Sequence, residues 1–122
     1  MVQTPIVTLD TAKAYLRVDS ADEDAIIGIL LKSAEQMAMD VARLSHDDWE
    51  TVQKVTTDDD GNVLTIHTRK LKPAEIIQMR ELLRVAILYA VGYLYEHREE
   101  ADHHGLVLTL RNLLFPIREG VL

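Results

Sequence analysis

The chain of 122 residues lacks cysteine, which excludes disulfides and thiolate metal sites. It also lacks an apolar run of the roughly 20 residues that a membrane span needs. Met1–Leu9 contains no lysine or arginine, so the basic start of a secretory signal is missing. We therefore expect a soluble, intracellular protein that does not bind membranes.

Motifs of catalysis are scarce as well. The sequence has no glycine-rich phosphate loop, no Gly-x-Ser-x-Gly elbow and no cysteine nucleophile. The three serines, Ser20, Ser33 and Ser45, are explained by a helix cap or a helix position. We expect neither an enzyme nor a bound cofactor.

Negative charge prevails and is unevenly spread. The net charge is −7, and residues 1–68 carry 5 basic and 13 acidic groups, whereas residues 69–122 carry 8 basic and 7 acidic groups. An acidic surface repels nucleic-acid phosphates, which disfavours ordinary DNA binding. The acidic part is either a solvated surface that keeps the protein soluble or a surface past which DNA slides without sticking.

The first part of the chain predicts two helices. Thr8 can cap a short helix from Leu9 to about Arg17. Ser20 followed by Glu23 forms a capping box for a longer helix from Ala21 to about Leu44. The apolar positions of this second helix that share one face are Ile27, Leu30, Ala34, Met37, Val41 and Leu44. Their spacing of three and four residues predicts a seam with another helix, in this chain or in another subunit.

Residues 45–72 have a different character. Residues 52–57 and 62–68 are rich in valine, threonine and isoleucine, and Asp-Gly at positions 60 and 61 lies between them. This pattern predicts a β-hairpin at about residues 51–68, within an inserted excursion over residues 47–72. Trp49 would anchor its root.

Pro73 suits the first position of a third helix, which we expect to reach about Glu100. From Leu82 to Tyr95 its only charge is Arg84, and a helix apolar nearly all round must be covered on all sides. Gly105 would separate it from a short helix, Leu106 to about Leu114, which Pro116 would end. The predicted fold is mainly α: one domain over residues 1–122, a small bundle of about four helices with one inserted hairpin, and a C-terminal tail at residues 115–122.

Two clusters have the composition of metal sites but not the spacing. Histidine and carboxylate side chains gather near the end of the third helix, at Glu96, His97, Glu99, Glu100, Asp102, His103 and His104. They lack the spacing of i and i+4 that places two histidine ligands on one helical face. Asp58, Asp59 and Asp60 lack the alternating ligands and closing glutamate of a calcium loop. We expect no metal site at either place.

Three motifs, in this order, resemble one family. Residues 8–19, TLDTAKAYLRVD, and the acidic residues 22–24 after them resemble the opening of the small helical phage head–tail connector proteins, also known as head-completion adaptors or DNA-packaging proteins. Residues 86–99 are similar to the family's apolar helix, which ends in Tyr-Glu-x-Arg-Glu. Residues 113–118, LLFPIR, resemble its closing Leu-Leu-x-Pro-Tyr-Arg, with Ile117 where an aromatic residue is common. The resemblance covers about residues 5–46 and 73–118.

The resemblance implies a structural adaptor that joins the capsid head to the tail of a phage or prophage after DNA packaging. Its copies would form a homo-oligomeric ring under the portal protein, extend the DNA channel and bind a downstream head-completion or tail protein. DNA would pass through without specific binding. The protein would assemble in the cytoplasm of the bacterial host and end at the head–tail junction of the virion.

On this interpretation, two groups of residues are candidates for function. Subunit or partner contacts are expected at Leu83, Ile87, Val91, Leu94, Tyr95, Arg98, Phe115, Pro116 and Arg118, each of which could instead pack within its own chain. Acidic candidates for lining the channel are Asp22, Glu23, Asp24, Asp58, Asp59 and Asp60.

Two other functions remain open from the residues. Four short helices could contain a helix-turn-helix, so a small helical prophage regulator that binds nucleic acid is the main alternative. Against it stand the net charge of −7 and the lack of a basic recognition helix. A metal-dependent enzyme built on His97, His103 and His104 ranks last.

Overall fold

The computed structural model describes residues 2–45, 48, 49, 52, 55–57, 63, 64, 73–99 and 103–118. The helices in these ranges are α1 (Leu9–Leu16), α2 (Asp24–Ala42), α3 (Pro73–Glu96), α4 (His104–Leu113) and α5 (Phe115–Arg118). The strands are β1 (Val2–Thr4), β2 (Val55–Thr57) and β3 (Val63–Leu64). The expectation of a mainly helical bundle is confirmed. Among the described helices, none is long and apolar enough to cross a membrane.

Helix α1 begins as its cap predicts. The side-chain oxygen of Thr8 accepts a hydrogen bond from the backbone N–H of Thr11 at 3.1 Å, which satisfies one of the free donors at the helix start. Arg17 ends the helix in a left-handed conformation, with φ of 60°. The helix is therefore one residue shorter than expected.

Helix α2 begins three residues later than predicted. Its N-cap is Glu23, whose side chain makes no capping hydrogen bond, so the expected capping box with Ser20 is wrong. The physical reason is competition, because the carboxylate of Glu23 bonds instead to side chains at the end of α3. At the other end, Arg43 adopts φ of 57° and closes the helix after Ala42.

The packed face of α2 is narrower than the predicted seam. Its buried residues are Ile27, Leu31, Ala34, Ala38 and Ala42. The predicted positions Leu30, Met37, Val41 and Leu44 are only partly buried against the core. Alanines in the middle of the face leave little side chain between backbones, so α2 lies close to α3, with which it makes its main contact.

Helix α3 ends at Glu96, four residues before the predicted end. Its buried residues form the centre of the core: Ile76, Met79, Leu83, Ala86, Ile87, Ala90, Val91 and Leu94. Helices α1, α2 and α4 all contact α3, so three neighbours cover this face from within the same chain.

One expectation about the C-terminal region is wrong, because Gly105 lies inside α4 rather than before it. Helix α4 ends at Leu113, close to the predicted end at about Leu114, and Pro116 lies in the separate short helix α5. Proline is tolerated in the first turn of a helix, because an N–H at that position would have no partner within the helix. The short turn of α5 packs against α2 and α4.

The strands form a small antiparallel sheet in the order β1–β2–β3. Thr4 pairs with Val55 and Thr57 pairs with Val63, so the N-terminal strand joins the region after α2. Asp58, Asp59, Asp60 and most of residues 47–72 lie outside the described residues. The complete hairpin at residues 51–68 therefore stays a prediction. Trp49 and Val52, before β2, are buried in the helical core.

Arg80 on α3 ties the sheet region to the bundle. Its guanidinium donates hydrogen bonds to the carbonyl oxygen of Val52 and, at 3.1 Å, to that of Pro5. Burial lowers the pKa of Arg80 from its usual value, and the positive charge of Arg84 lowers it further. One side chain thus joins two segments that are far apart in sequence to the same turn of α3.

We expect Arg80→Met to lower the free energy of unfolding by about 1–3 kcal/mol, since it removes two charge-assisted hydrogen bonds to carbonyl oxygens. The matched control is Arg84→Met, one helical turn further along and exposed, which should have a much smaller effect. Urea denaturation measures both. An equal loss of unfolding free energy in both variants would show that the hydrogen bonds of Arg80 do not stabilise the fold.

Candidate functional site

The end of α3 is joined to the start of α2 by three polar side chains. The hydroxyl of Tyr95 donates a hydrogen bond to Oε1 of Glu23 at 3.1 Å. Nη1 of Arg98 lies 3.3 Å from Oε2 of the same carboxylate, and the guanidinium lies 4.9 Å from the centre of the Tyr95 ring. Glu23 therefore binds two of the nine residues that were predicted to contact a subunit or partner.

The other acidic candidates near α2 have separate environments. Asp24 forms an ion pair with Nζ of Lys13 at 2.7 Å, which joins α2 to α1. Asp22 is exposed. The remaining candidates, Asp58, Asp59 and Asp60, lie outside the described residues. Of the three acidic candidates at residues 22–24, Glu23 and Asp24 thus each form an ion pair with a cation of their own chain.

The four apolar candidates on α3 face inward. Leu83, Ile87, Val91 and Leu94 are all buried in the core of this single chain. Their contribution to a contact between subunits stays a prediction. The structure places them where they hold the subunit itself together.

The opposite side of α3 is only partly covered. Val85 is 55% exposed and Tyr89 is 40% exposed. Tyr15 of α1, itself 50% exposed, lies against Gly92 on the same face of α3 and lines a cavity together with Tyr89. Exposed large apolar side chains on one helix face mark a candidate interaction site. We name Tyr15, Val85 and Tyr89 the outer patch. Sequence reasoning selected the helix but not these residues, although Val85 and Tyr89 are four residues apart and so share a helical face.

An open cavity of about 590 Å³ continues the outer patch toward the end of α3. Its lining consists of Tyr15, Leu16, Arg17, Tyr89, Gly92, Tyr93, Tyr95, Glu96 and His97. Gly92 makes room for the ring of Tyr15, because a Cβ atom at this position would lie 3.0 Å from Cε2 of that ring. The floor is thus aromatic and the rim carries Arg17 and Glu96, both exposed. Such a concave site suits a protruding apolar side chain with a polar neighbour.

In the lining of the cavity, the ring of Tyr93 contacts the two histidines nearest to the end of α3. The rings of Tyr93 and His97 lie 4.2 Å apart and stack, and His103 meets Tyr93 edge-on at 5.9 Å. Within the described part of the chain, no three histidine or carboxylate side chains are grouped to hold a metal ion. Glu100 and Asp102 of the predicted cluster lie outside it. The rings of His97 and His103 therefore pack against that of Tyr93.

The three candidates in the C-terminal segment differ in exposure. Phe115 is 53% exposed, whereas Pro116 and Arg118 are partly buried. Ile117 is buried and joins the core. The segment therefore holds itself to the bundle through Ile117 and presents the ring of Phe115 to the outside. Leu108 of α4 is also exposed, at 45%.

The family of the chain is settled by a match to a family model. The model of the Phage gp6-like head-tail connector proteins matches residues 6–119. The chain belongs to this family of phage head–tail connectors, and its role is that of a structural connector. No curated protein and no solved structure matches the chain.

The contact between Tyr95 and Glu23 has a consequence for pH dependence. The hydrogen bond to Glu23 raises the pKa of the Tyr95 phenol above its ordinary value, burial and the negative charge of Glu23 act in the same direction, and Arg98 opposes them. Because the folded-state pKa is raised, the stability from this contact is fully present below the unfolded pKa of about 10. It is lost as the pH rises through the folded-state pKa.

We therefore expect an absorbance titration of the tyrosines to show one phenol that ionises at higher pH than a free tyrosine. This late transition should be missing in the Tyr95→Phe variant. Glu23→Gln should return that phenol toward the ordinary value, since it removes the carboxylate. Asp22→Asn, which neutralises the neighbouring exposed acid, is the control. A late phenol that is unchanged in Glu23→Gln would contradict the assignment.

Proposed function

We propose that this protein is a head–tail adaptor whose copies form a ring beneath the portal protein and join the filled capsid to the tail. Its working place would be the head–tail junction of the virion, reached from the cytoplasm of the host. The observation that carries the proposal is the family match over residues 6–119. The ring, its place under the portal and the order of assembly after DNA packaging are the parts we add.

The outer patch supports self-assembly. Tyr15, Val85 and Tyr89 leave apolar surface open on the side of α3 that the described part of the chain covers only in part. Burial of apolar surface is favourable at about 25 cal/mol per Å². A neighbouring copy that covered this surface would thus gain stability from a patch that the monomer leaves in water. The predicted interface residues Leu83, Ile87, Val91 and Leu94 would then act indirectly, by fixing the helix that presents the patch.

Acidic charge supports a channel through which DNA passes without specific binding. A net charge of −7 repels the phosphate backbone. We propose that Asp58, Asp59 and Asp60 face this channel, whereas Asp22 meets a neighbouring subunit. Glu23 and Asp24 belong to the same candidate group, but their ion pairs with Arg98 and Lys13 reduce their contribution.

Contacts with other phage proteins are proposed for the C-terminal segment. Phe115 is the exposed aromatic residue of that segment, and Pro116 and Arg118 lie beside it. Tyr95 and Arg98, at the end of α3, would add a further contact through the parts of their side chains that Glu23 does not cover. These elements would meet the portal on one side and a head-completion or tail protein on the other.

The proposal is tested by mixing the purified protein with the portal protein of the same phage and imaging the mixture by negative-stain microscopy. We expect rings stacked on the portal, because the portal provides a circular template that raises the local concentration of adaptor copies. The control is the portal alone. Portals that stay bare at high concentrations of the protein would contradict the proposal.

A gel-shift titration with duplex DNA separates this function from that of a nucleic-acid-binding regulator. The adaptor should give no sub-micromolar, salt-dependent shift, because its net charge of −7 repels the phosphate backbone. A tight shift that weakens steeply with salt would favour the regulator instead.

A further inference from the structure

Helix α2 carries a second exposed apolar surface, on a different side of the subunit from the outer patch. Ile29 is 65% exposed and Ile26 is 44% exposed, and they are the most open side chains of that helix's apolar set. They lie three residues apart and so share a face. Exposed polar residues continue this face toward the end of α2, at Ser33, Gln36 and Asp40, and Asp22 is exposed in the turn before the helix. We name Ile26 and Ile29 the isoleucine ridge.

The ridge points away from α1. Asp24 marks the side of α2 that faces α1, because its carboxylate pairs with Lys13. Successive residues of a helix are rotated by about 100°, so Ile26 lies about 200° and Ile29 about 140° around the axis from Asp24. The outer patch includes Tyr15 of α1. The two apolar surfaces therefore do not merge into one, and one subunit presents both at once.

The two surfaces are complementary in shape. The ridge consists of two branched side chains that protrude from a helix, and Ile29 is nearly two-thirds exposed. The outer patch borders an open cavity of about 590 Å³, whose floor includes Gly92 and the rings of Tyr15 and Tyr89. Branched aliphatic side chains packed on aromatic rings fill such a hollow well.

They are also complementary in charge at one end. Arg17 is exposed on the rim of the cavity, and Asp22 is exposed one turn before Ile26. Neither of them forms an ion pair with a described residue of its own chain. The cavity rim also carries Glu96, which would oppose an acidic partner, so the fit requires Asp22 to lie on the side of Arg17.

We propose that the isoleucine ridge of one copy docks into the tyrosine-lined cavity of the next, with Asp22 of one subunit facing Arg17 of its neighbour. The proposal deepens the ring under "Proposed function" and rests on it, since it names the two surfaces that meet. A contact between two different surfaces of identical subunits is heterologous, and it closes into a ring when the rotation per subunit permits. Each subunit then uses both surfaces, and neither stays open to water.

The absence of cysteine makes the test direct, because any introduced thiol is the only one in the chain. Two variants of the full chain are made, Ile29→Cys and Tyr89→Cys, both at exposed positions. One carries an affinity tag so that mixed and like dimers differ in mass. Each variant alone and the mixture are then treated with a short bis-maleimide at high protein concentration, with and without portal protein.

We expect the mixture to give the mixed dimer at about tenfold the yield of a control mixture, since residues in one interface meet at a high effective concentration. The control pairs Ile29→Cys with Leu108→Cys, an equally exposed apolar position on α4. Each variant alone should give only the background of like dimers, because ridge does not meet ridge in a heterologous contact.

The outcomes separate this inference from the function on which it rests. Rings on the portal with mixed dimers at the control level would overturn the docking of ridge into cavity and leave the adaptor function standing. Like dimers of Tyr89→Cys in excess would also overturn it, because they indicate an isologous contact. Neither rings nor mixed dimers, with or without portal, would contradict both proposals.

Discussion

The burial of one face of α3 is the constraint on which the rest of the structure depends. Leu83, Ile87 and Val91 on this face are fully buried, and each large apolar side chain so buried contributes about 1.5–3 kcal/mol. Helices α1, α2 and α4 are arranged around it, and the alanines of α2 allow the closest approach. The same arrangement explains the open side of α3. Helices α1, α2 and α4 cover one face of this 24-residue helix and leave Val85 and Tyr89 partly exposed to water.

Polar contacts then fix the ends of the elements that surround α3. Glu23 joins the start of α2 to the end of α3 through Tyr95 and Arg98. Lys13 and Asp24 join α1 to α2, and Arg80 holds the N-terminal segment and the region before β2. The Tyr-Glu-x-Arg-Glu sequence at the end of α3 thereby has an explanation within one subunit, since its tyrosine and arginine share one carboxylate. The acidic cluster at residues 22–24 is in part a set of structural partners.

The sequence predicted the number and order of the long helices, because apolar periodicity and caps are local. Thr8 illustrates this, since its cap depends only on the next three residues. Predictions failed where a distant residue decided the outcome. The start of α2 was placed wrongly because nothing near Glu23 reveals that Tyr95 and Arg98 bind its carboxylate. The pairing of β1 with β2 and the bonds of Arg80 are likewise between residues far apart in sequence.

The candidate site was predicted in part for the same reason. Excess apolar character located it on α3, but the sequence did not say which face the chain itself covers. Which face is covered depends on where α1, α2 and α4 pack. The candidate interface residues are therefore the exposed Tyr15, Val85 and Tyr89 and not the buried Leu83 and Ile87. Gly92 is an example of a residue whose role the sequence does not reveal. A small residue is needed there because the ring of Tyr15 from α1 packs against it.

The central claim is that copies of this chain cover the outer face of α3 when the connector assembles. Hydroxyl-radical footprinting with mass spectrometry measures this directly, by comparing the reactivity of Tyr89 in the free protein and in the portal-bound assembly. We predict a strong loss of reactivity at Tyr89 on assembly, while the reactivity of the exposed residue Leu108 of α4 changes little. Equal reactivity of Tyr89 in both states would contradict it.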